Sequence, residues 1–349
     1  MLIDYGDSPT ATLAADLVAA SLSTKSVESY GGKFEKFIRF CTSQNLSPLP
    51  AAPETCVRYV SFLANEGTVK AETAQPYFSA INTIHKQCGF DPPALGADLD
   101  LARKGWEQRQ TVADPSALPP NRVPIPPTVM RAVLQLGLDI AKKNKTKSAH
   151  CTAAEINTLR DCAALTTSYL FFNRGDTAHG LLWEPEDSTE PDLRIDAARS
   201  SLLFLERRFK GKSQLLTKRL LVLDCSDKKE CLDLLQAYLD VRQHVRGCKH
   251  FWELPSSKRW LASSIDDMLQ RVLKLLPHHV PPPGCTWTGH SLRSGAASAG
   301  YAVTKDLLVI CHYGGWARGS DVMQDDYIDP SWRSTPDARF FFGWLKSAL

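Results

Sequence analysis

Six prolines fall within residues 114–127, DPSALPPNRVPIPP, a density that neither a helix interior nor a central strand tolerates. Proline lacks a backbone donor and holds the chain extended, so this run is expected to be a linker. It divides a chain of 349 residues, too long for one compact core, into a shorter segment and a longer one. Charge divides with it. Residues 1–113 carry 10 Lys and Arg against 12 Asp and Glu, and the remainder carries 31 against 26. A polyanionic partner is therefore expected to meet mainly the C-terminal segment.

Hydrophobic content of 43% and charged content of 23% are those of a globular protein in water. No apolar run reaches transmembrane length, and the opening MLIDYGDSPT lacks a basic-then-apolar signal. An intracellular protein with no membrane partner is expected: nuclear in a eukaryote, in the cytoplasm or nucleoid of a bacterium or phage. Ten cysteines occur without a CxxC pair, which suits small core residues in a reducing compartment. Cys225, Cys231, Cys248 and His250 match no common zinc spacing, so no metal site is expected.

Residues 1–22 read as an N-terminal arm. From Ser23, apolar residues recur at three- and four-residue steps: Val27, Tyr30, Phe34, Phe37, Ile38 and Cys41, the stripe of an amphipathic helix. Similar patterns over 54–65, 70–88 and 98–109 complete a small helical domain spanning 23–113. Arg103 and Lys104, near the end of its fourth helix, are candidate phosphate contacts. The second domain, 128–349, opens with a helix over 128–142 and a basic run, KKNKTK, which makes Lys142 and Lys143 candidate phosphate contacts. An apolar helix over 153–172 follows. The helical period then disappears, and Leu202–Leu205 and Leu220–Leu223 read as strands flanking a polar turn. Helices over 228–245 and 262–276 come next. The tail, ARFFFGWLKSAL, is too apolar to stay in water; it suits either its own domain or a neighbouring copy. The expected fold is mainly α with a small β-hairpin sheet, an α+β class.

Chemistry concentrates in 289–327, GHSLRSGAASAGYAVTKDLLVICHYGGWARGSDVMQDDY. His290 and Arg293, three apart, project from one face of a helix. An arginine fork fits two phosphate oxygens, and an imidazole or indole N–H can hydrogen-bond a third. The hydroxyl of Tyr327 can attack phosphorus when nearby positive charge lowers its pKa.

The Gly-His-Ser-x-Arg-x-Gly-Ala-Ala run and the later Gly-Gly-Trp resemble the tyrosine recombinases, the phage-integrase superfamily. The pattern is most like that of Cre-like members and of the recombinases of DIRS-type and Crypton mobile elements. The resemblance implies an N-terminal helical core-binding domain that clamps DNA and a C-terminal catalytic domain. It implies that Arg174, His290, Arg293, Trp316 and Tyr327 are catalytic, with a lysine from the β-hairpin: Lys212, or Lys210, which otherwise contacts DNA. It implies cleavage and rejoining of double-stranded DNA through a 3′-phosphotyrosine on Tyr327, with no cofactor, for integration or excision of a mobile element. A homotetramer on two DNA sites, assembled through the C-terminal tail, is also implied. Where the family has an acidic residue three places after its first arginine, this chain has Thr177, with Asp176 adjacent. The interval from Trp316 to Tyr327 is slightly longer than the family's, which keeps Tyr301 and Tyr313 open as nucleophiles. His312 competes with Trp316 for the third phosphate contact. A DNA-relaxing enzyme of type IB topoisomerase chemistry and a catalytically inactive DNA-binding protein are the alternative functions.

Overall fold

The computed structural model describes residues 24–113, 121–145, 152–185, 188, 190–206, 219–255, 261, 263–317 and 321–346, the side chains of 24–27 and 176 excepted. The chain divides into two compact units, Met1–Pro119 and Pro120–Leu349.

The first unit is built on four helices: α1 (Thr24–Ser43), α2 (Pro53–Glu66), α3 (Gln75–Gln87) and α4 (Ala97–Ala113), with a 3₁₀ turn at Ala71–Thr73. Helix α2 shows why the boundaries fall where they do. Pro53 opens it, where a missing N–H costs nothing, and Gly67 closes it in a left-handed conformation, its N–H bonded to the Leu63 carbonyl. Apolar stripes from the helices meet in one core of Phe37, Phe40, Tyr59, Leu63, Phe78 and Trp106.

The second unit surrounds two buried helices. Its elements are β1 (Asn121–Arg122), α5 (Pro127–Lys145), α6 (Ala153–Leu170), α7 (Gly175–His179), β2 (Leu193–Asp196), β3 (Ser201–Glu206), β4 (Arg219–Asp224), α8 (Lys229–Arg242), α9 (Ser264–Lys274), β5 (Cys285–Thr286), α10 (Gly289–Thr304), α11 (Leu307–Gly314), α12 (Asp321–Tyr327) and α13 (Pro336–Phe342), followed by a 3₁₀ turn at Gly343–Lys346. Helix α6 is buried on nearly every side from Leu159 onward and packs against α5, α8, α9 and α10. Helix α10 is buried just as completely, because its Gly295-Ala296-Ala297 run admits close neighbours. At Gly295 a Cβ would lie 2.3 Å from the Ile125 carbonyl oxygen, so only glycine lets this backbone pass.

That contact corrects the extent of the linker. Residues 121–127, expected to continue the proline-rich connection, belong to the second unit. Strand β1 pairs parallel with β5, the Ile125 N–H bonds the Ser291 carbonyl at 3.0 Å, and Ile125 is fully buried. The prolines set an extended path, and that path is what a short parallel strand requires.

The sheet has one strand more than the expected hairpin. Strands β2, β3 and β4 pair antiparallel in that order, with Leu193, Leu202, Phe204, Leu221 and Leu223 on the buried face. Glu206 and Arg219 face each other where the β3–β4 ladder ends. The tail packs on its own unit, the first of the two placements its composition allows. The Thr335 hydroxyl caps α13, and Phe341, Phe342 and Leu345 are completely buried against elements including α5 and α10. The rings of Phe341 and Phe342 each lie 5.3 Å from that of Tyr169 on α6.

Candidate active site

Helix α10 sets the frame. Two of its first N–H groups are satisfied from outside the backbone ladder. Asp266 accepts from Gly289 at 2.6 Å, while Ser291 Oγ turns back to accept from the Thr288 N–H at 3.1 Å. Thus fixed, the helix presents His290 at the surface and Arg293 in the interior, 3% exposed, on the face their spacing predicts.

Arg293 organises what surrounds it. Its Nη1 donates to the Phe172 carbonyl and its Nη2 to the Gly314 carbonyl at 2.6 Å. The guanidinium lies 3.7 Å from the centre of the Trp316 ring and 5.5 Å from that of Tyr327. The Tyr327 ring is 5.0 Å from Trp316, edge-on, and 4.8 Å from His290. Four of the residues singled out in the sequence therefore converge. Two buried donors at this point, Arg293 Nε and Trp316 Nε1, find no acceptor among the described residues. Leaving such groups unsatisfied costs about 1–3 kcal/mol each, which an arriving anion would recover.

Arg174, partly exposed just before α7, contributes charge to the same place. Burial first, and then the Arg174 charge, push the Arg293 pKa below its ordinary value, although a guanidinium remains cationic at neutral pH. Partial burial, followed by the charges of Arg293, Arg122 and Arg174, lowers the pKa of His290. We expect NMR of the free protein to show His290 titrating below 6.5, with Arg122→Ala and Arg174→Ala each moving the midpoint upward. A midpoint at or above 6.5 in the wild-type protein would contradict this electrostatic picture.

The sequence reading missed a carboxylate. Glu206, 8% exposed at the end of β3, accepts from Arg219 Nε at 3.0 Å and Nη2 at 2.6 Å, and its field reaches Arg293 and Arg174. Burial raises its pKa against the pull of those arginines. Arg219 also donates to the His312 carbonyl and, at 3.1 Å, to that of Tyr313. Together with Arg293 on Gly314, two arginines hold three successive carbonyls at the end of α11. Gly315, left-handed at φ 67°, then turns the chain into Trp316. The symmetric placement of Glu206 and Arg219 about the polar turn is the signal that could have paired them. Ser298 was missed as well: its hydroxyl bonds the backbone at Tyr327 and Asp329.

Lys210 and Lys212 fall in 207–218, outside the described residues. His312 is exposed with its ring against Tyr313, while Trp316 stacks on Arg293. Tyr313 meets Trp344 at 4.6 Å and Tyr301 lies under Lys305 at 5.1 Å. Thr177 is buried. At the end of α5, Lys143 is ion-paired with Glu155, and Lys142 is 73% exposed beside Asp139. In the first unit, the Arg103 guanidinium sits 5.6 Å from the centre of the Phe78 ring and Lys104 is exposed.

No family model matches the sequence, nor does any curated protein. Several solved structures resemble the fold. The XerH site-specific recombinase bound to a palindromic difH substrate is 13% identical with a TM-score of 0.46, over 85% of this chain and 70% of that one. The XerA recombinase is 16% identical with a TM-score of 0.37, over 86% of each chain. A lambda integrase dimer bound to a COC′ core site is 15% identical with a TM-score of 0.48, over 93% of this chain and 95% of that one. By name these neighbours are two recombinases and an integrase, and the chain is similar to them in fold.

Proposed function

We propose that this chain is a site-specific DNA recombinase that breaks and rejoins double-stranded DNA through a 3′-phosphotyrosine on Tyr327, in the integration or excision of a mobile element. The observation that carries this reading is the pair of unpartnered donors, Arg293 Nε and Trp316 Nε1, buried beside the Tyr327 ring. A phosphodiester supplies the acceptors they lack, and its charge suits the arginines around them.

In the proposed step the Tyr327 oxygen forms a bond to phosphorus and the bond to the 5′ oxygen breaks. Arg174 and Arg293 neutralise charge growing on the non-bridging oxygens. His290, its pKa held down by partial burial and then by the neighbouring arginine charges, takes part in proton transfer and bonds the phosphate. Trp316 donates its indole N–H. A lysine of the β3–β4 connection, Lys212 or Lys210, protonates the leaving oxygen. The phosphotyrosine conserves the energy of the phosphodiester, so a 5′-hydroxyl of a second strand can reverse the step with no nucleotide cofactor. Arg103, Lys104, Lys142 and Lys143 are proposed to hold DNA phosphates, Lys143 by leaving Glu155. The first unit is proposed as the second half of a DNA clamp.

Tyr327→Phe removes one oxygen and tests the assignment. DNA binding is expected to persist, while the SDS-resistant adduct on a nicked duplex disappears. A persistent adduct would move the nucleophile to Tyr301 or Tyr313. Loss of cleavage in Lys212→Ala is expected to be rescued by a 5′-phosphorothiolate, whose sulfur departs without a proton. Rescue of Lys210→Ala instead would exchange the two lysines.

One observation favours a second reading. Among the described residues the tail buries its aromatics on its own unit, as a monomer would. A monomer with the same chemistry would relax DNA in the manner of a type IB topoisomerase. Relaxation of supercoiled plasmid, without exchange between two sites, would select that reading over a tetrameric recombinase.

A further inference from the structure

We infer that Ser298 is a positioning residue for the tyrosine, a role that rests on Tyr327 being the nucleophile. Ser298 lies on α10, the helix that carries His290 and Arg293, and is 1% exposed. Its hydroxyl donates to the Tyr327 carbonyl at 3.2 Å and accepts from the Asp329 N–H at 2.9 Å. The two bonds bracket Ile328, itself buried, so the backbone on both sides of it is fixed to α10.

The arrangement answers a geometric need. Ring contacts with His290 and Trp316 locate the tyrosine side chain, but they do not fix the backbone from which it extends. Tyr327 is the last residue of α12, a helix of seven residues, too short to hold its own end in place. A serine hydroxyl is the smallest side-chain group that donates and accepts at once, so one residue can secure both a C=O and an N–H. Through it, the nucleophile and the groups that hold the phosphate are referred to a single rigid helix. Alanine would leave α10 intact and release only the tyrosine.

Misplacing a reacting atom by about 1 Å can lower a rate on the order of 100-fold. Ser298→Ala is therefore expected to slow adduct formation at saturating DNA by roughly 10- to 100-fold, with half-saturation unchanged. A defect in α10 itself could imitate that loss, so a second measurement bypasses the tyrosine. Hydroperoxide anion can attack the phosphorus directly, forming a P–O bond as the bond to the 5′ oxygen breaks. The 5′ oxygen leaves with a proton as a hydroxyl, and the peroxyphosphate remains on the 3′ end. Tyr327→Phe and the double variant Tyr327→Phe/Ser298→Ala should then cleave at the same peroxide-driven rate, because Ser298 acts only through the residue that peroxide replaces. Slower cleavage by the double variant would overturn the inference, since Ser298 would then be supporting the phosphate-binding groups. A wild-type adduct rate in Ser298→Ala would overturn it too, while leaving Tyr327 as nucleophile. An adduct that survives Tyr327→Phe would instead overturn the reading beneath it.

Discussion

Arg293→Ala is expected to lower DNA cleavage on the order of 100- to 1,000-fold, the effect of removing one donor from a preorganised anion site. The same change should also destabilise the fold. The carbonyls of Phe172 and Gly314 would lose their charged donor inside the protein, and Trp316 would lose the cation on which it stacks. Lysine cannot substitute, because one ammonium lacks the fork that spans two carbonyls while facing an aromatic ring. A methylphosphonate at the cleaved position separates the two losses. It carries no charge on the non-bridging atoms, so a variant lacking only neutralising charge should recover on it. Cleavage of ordinary DNA at the wild-type rate would remove Arg293 from the site.

Phe342→Ala should be among the most damaging changes outside the site. The side chain is completely buried, with ring contacts at 5.3 Å to Tyr169 and 5.2 Å to Phe172. Truncating a core phenylalanine costs about 3–5 kcal/mol. For a domain of this size each kcal/mol lowers the melting temperature by about 2–4 °C. A fall on the order of 6–20 °C is therefore expected, and it should be the same at every protein concentration because the contact is made within one chain. A fall that shrinks as concentration rises would indicate a tail exchanged between copies. Deleting 336–349 would remove Phe341, Phe342 and Leu345 together, so it tests folding before it tests assembly.

How legible such features were depended on how local they are. Most of the longer helices of both units could be read from apolar periodicity, and α6 matched its expected span almost to the residue because a long apolar run admits little else. The short α7, α11 and α12 carry too few turns to show a period. His290 and Arg293 were legible for the same reason, since spacing on one helix determines a shared face. Strand β2 was not, because four residues, LRID, carry too little alternation to declare a strand. Prolines concealed the burial of Ile125, which depends on a glycine remote in sequence. Arg219 and Ser298 hold backbone groups brought near by tertiary packing, which no local pattern records, whereas Glu206 meets Arg219 across the β3–β4 ladder. The tail was ambiguous in principle, because the same aromatics satisfy either placement.

The central claim is that Tyr327 carries the bond to DNA, and the most direct test is to find that bond. A nicked duplex that loses its short 5′-hydroxyl fragment after cleavage would trap the intermediate. Proteolysis and mass spectrometry would then identify the residue bearing the 3′-phosphonucleotide. The proposed mechanism predicts a single modified tyrosine, Tyr327. Modification of Tyr301 or Tyr313, or no covalent product under conditions where the protein binds DNA, would contradict it.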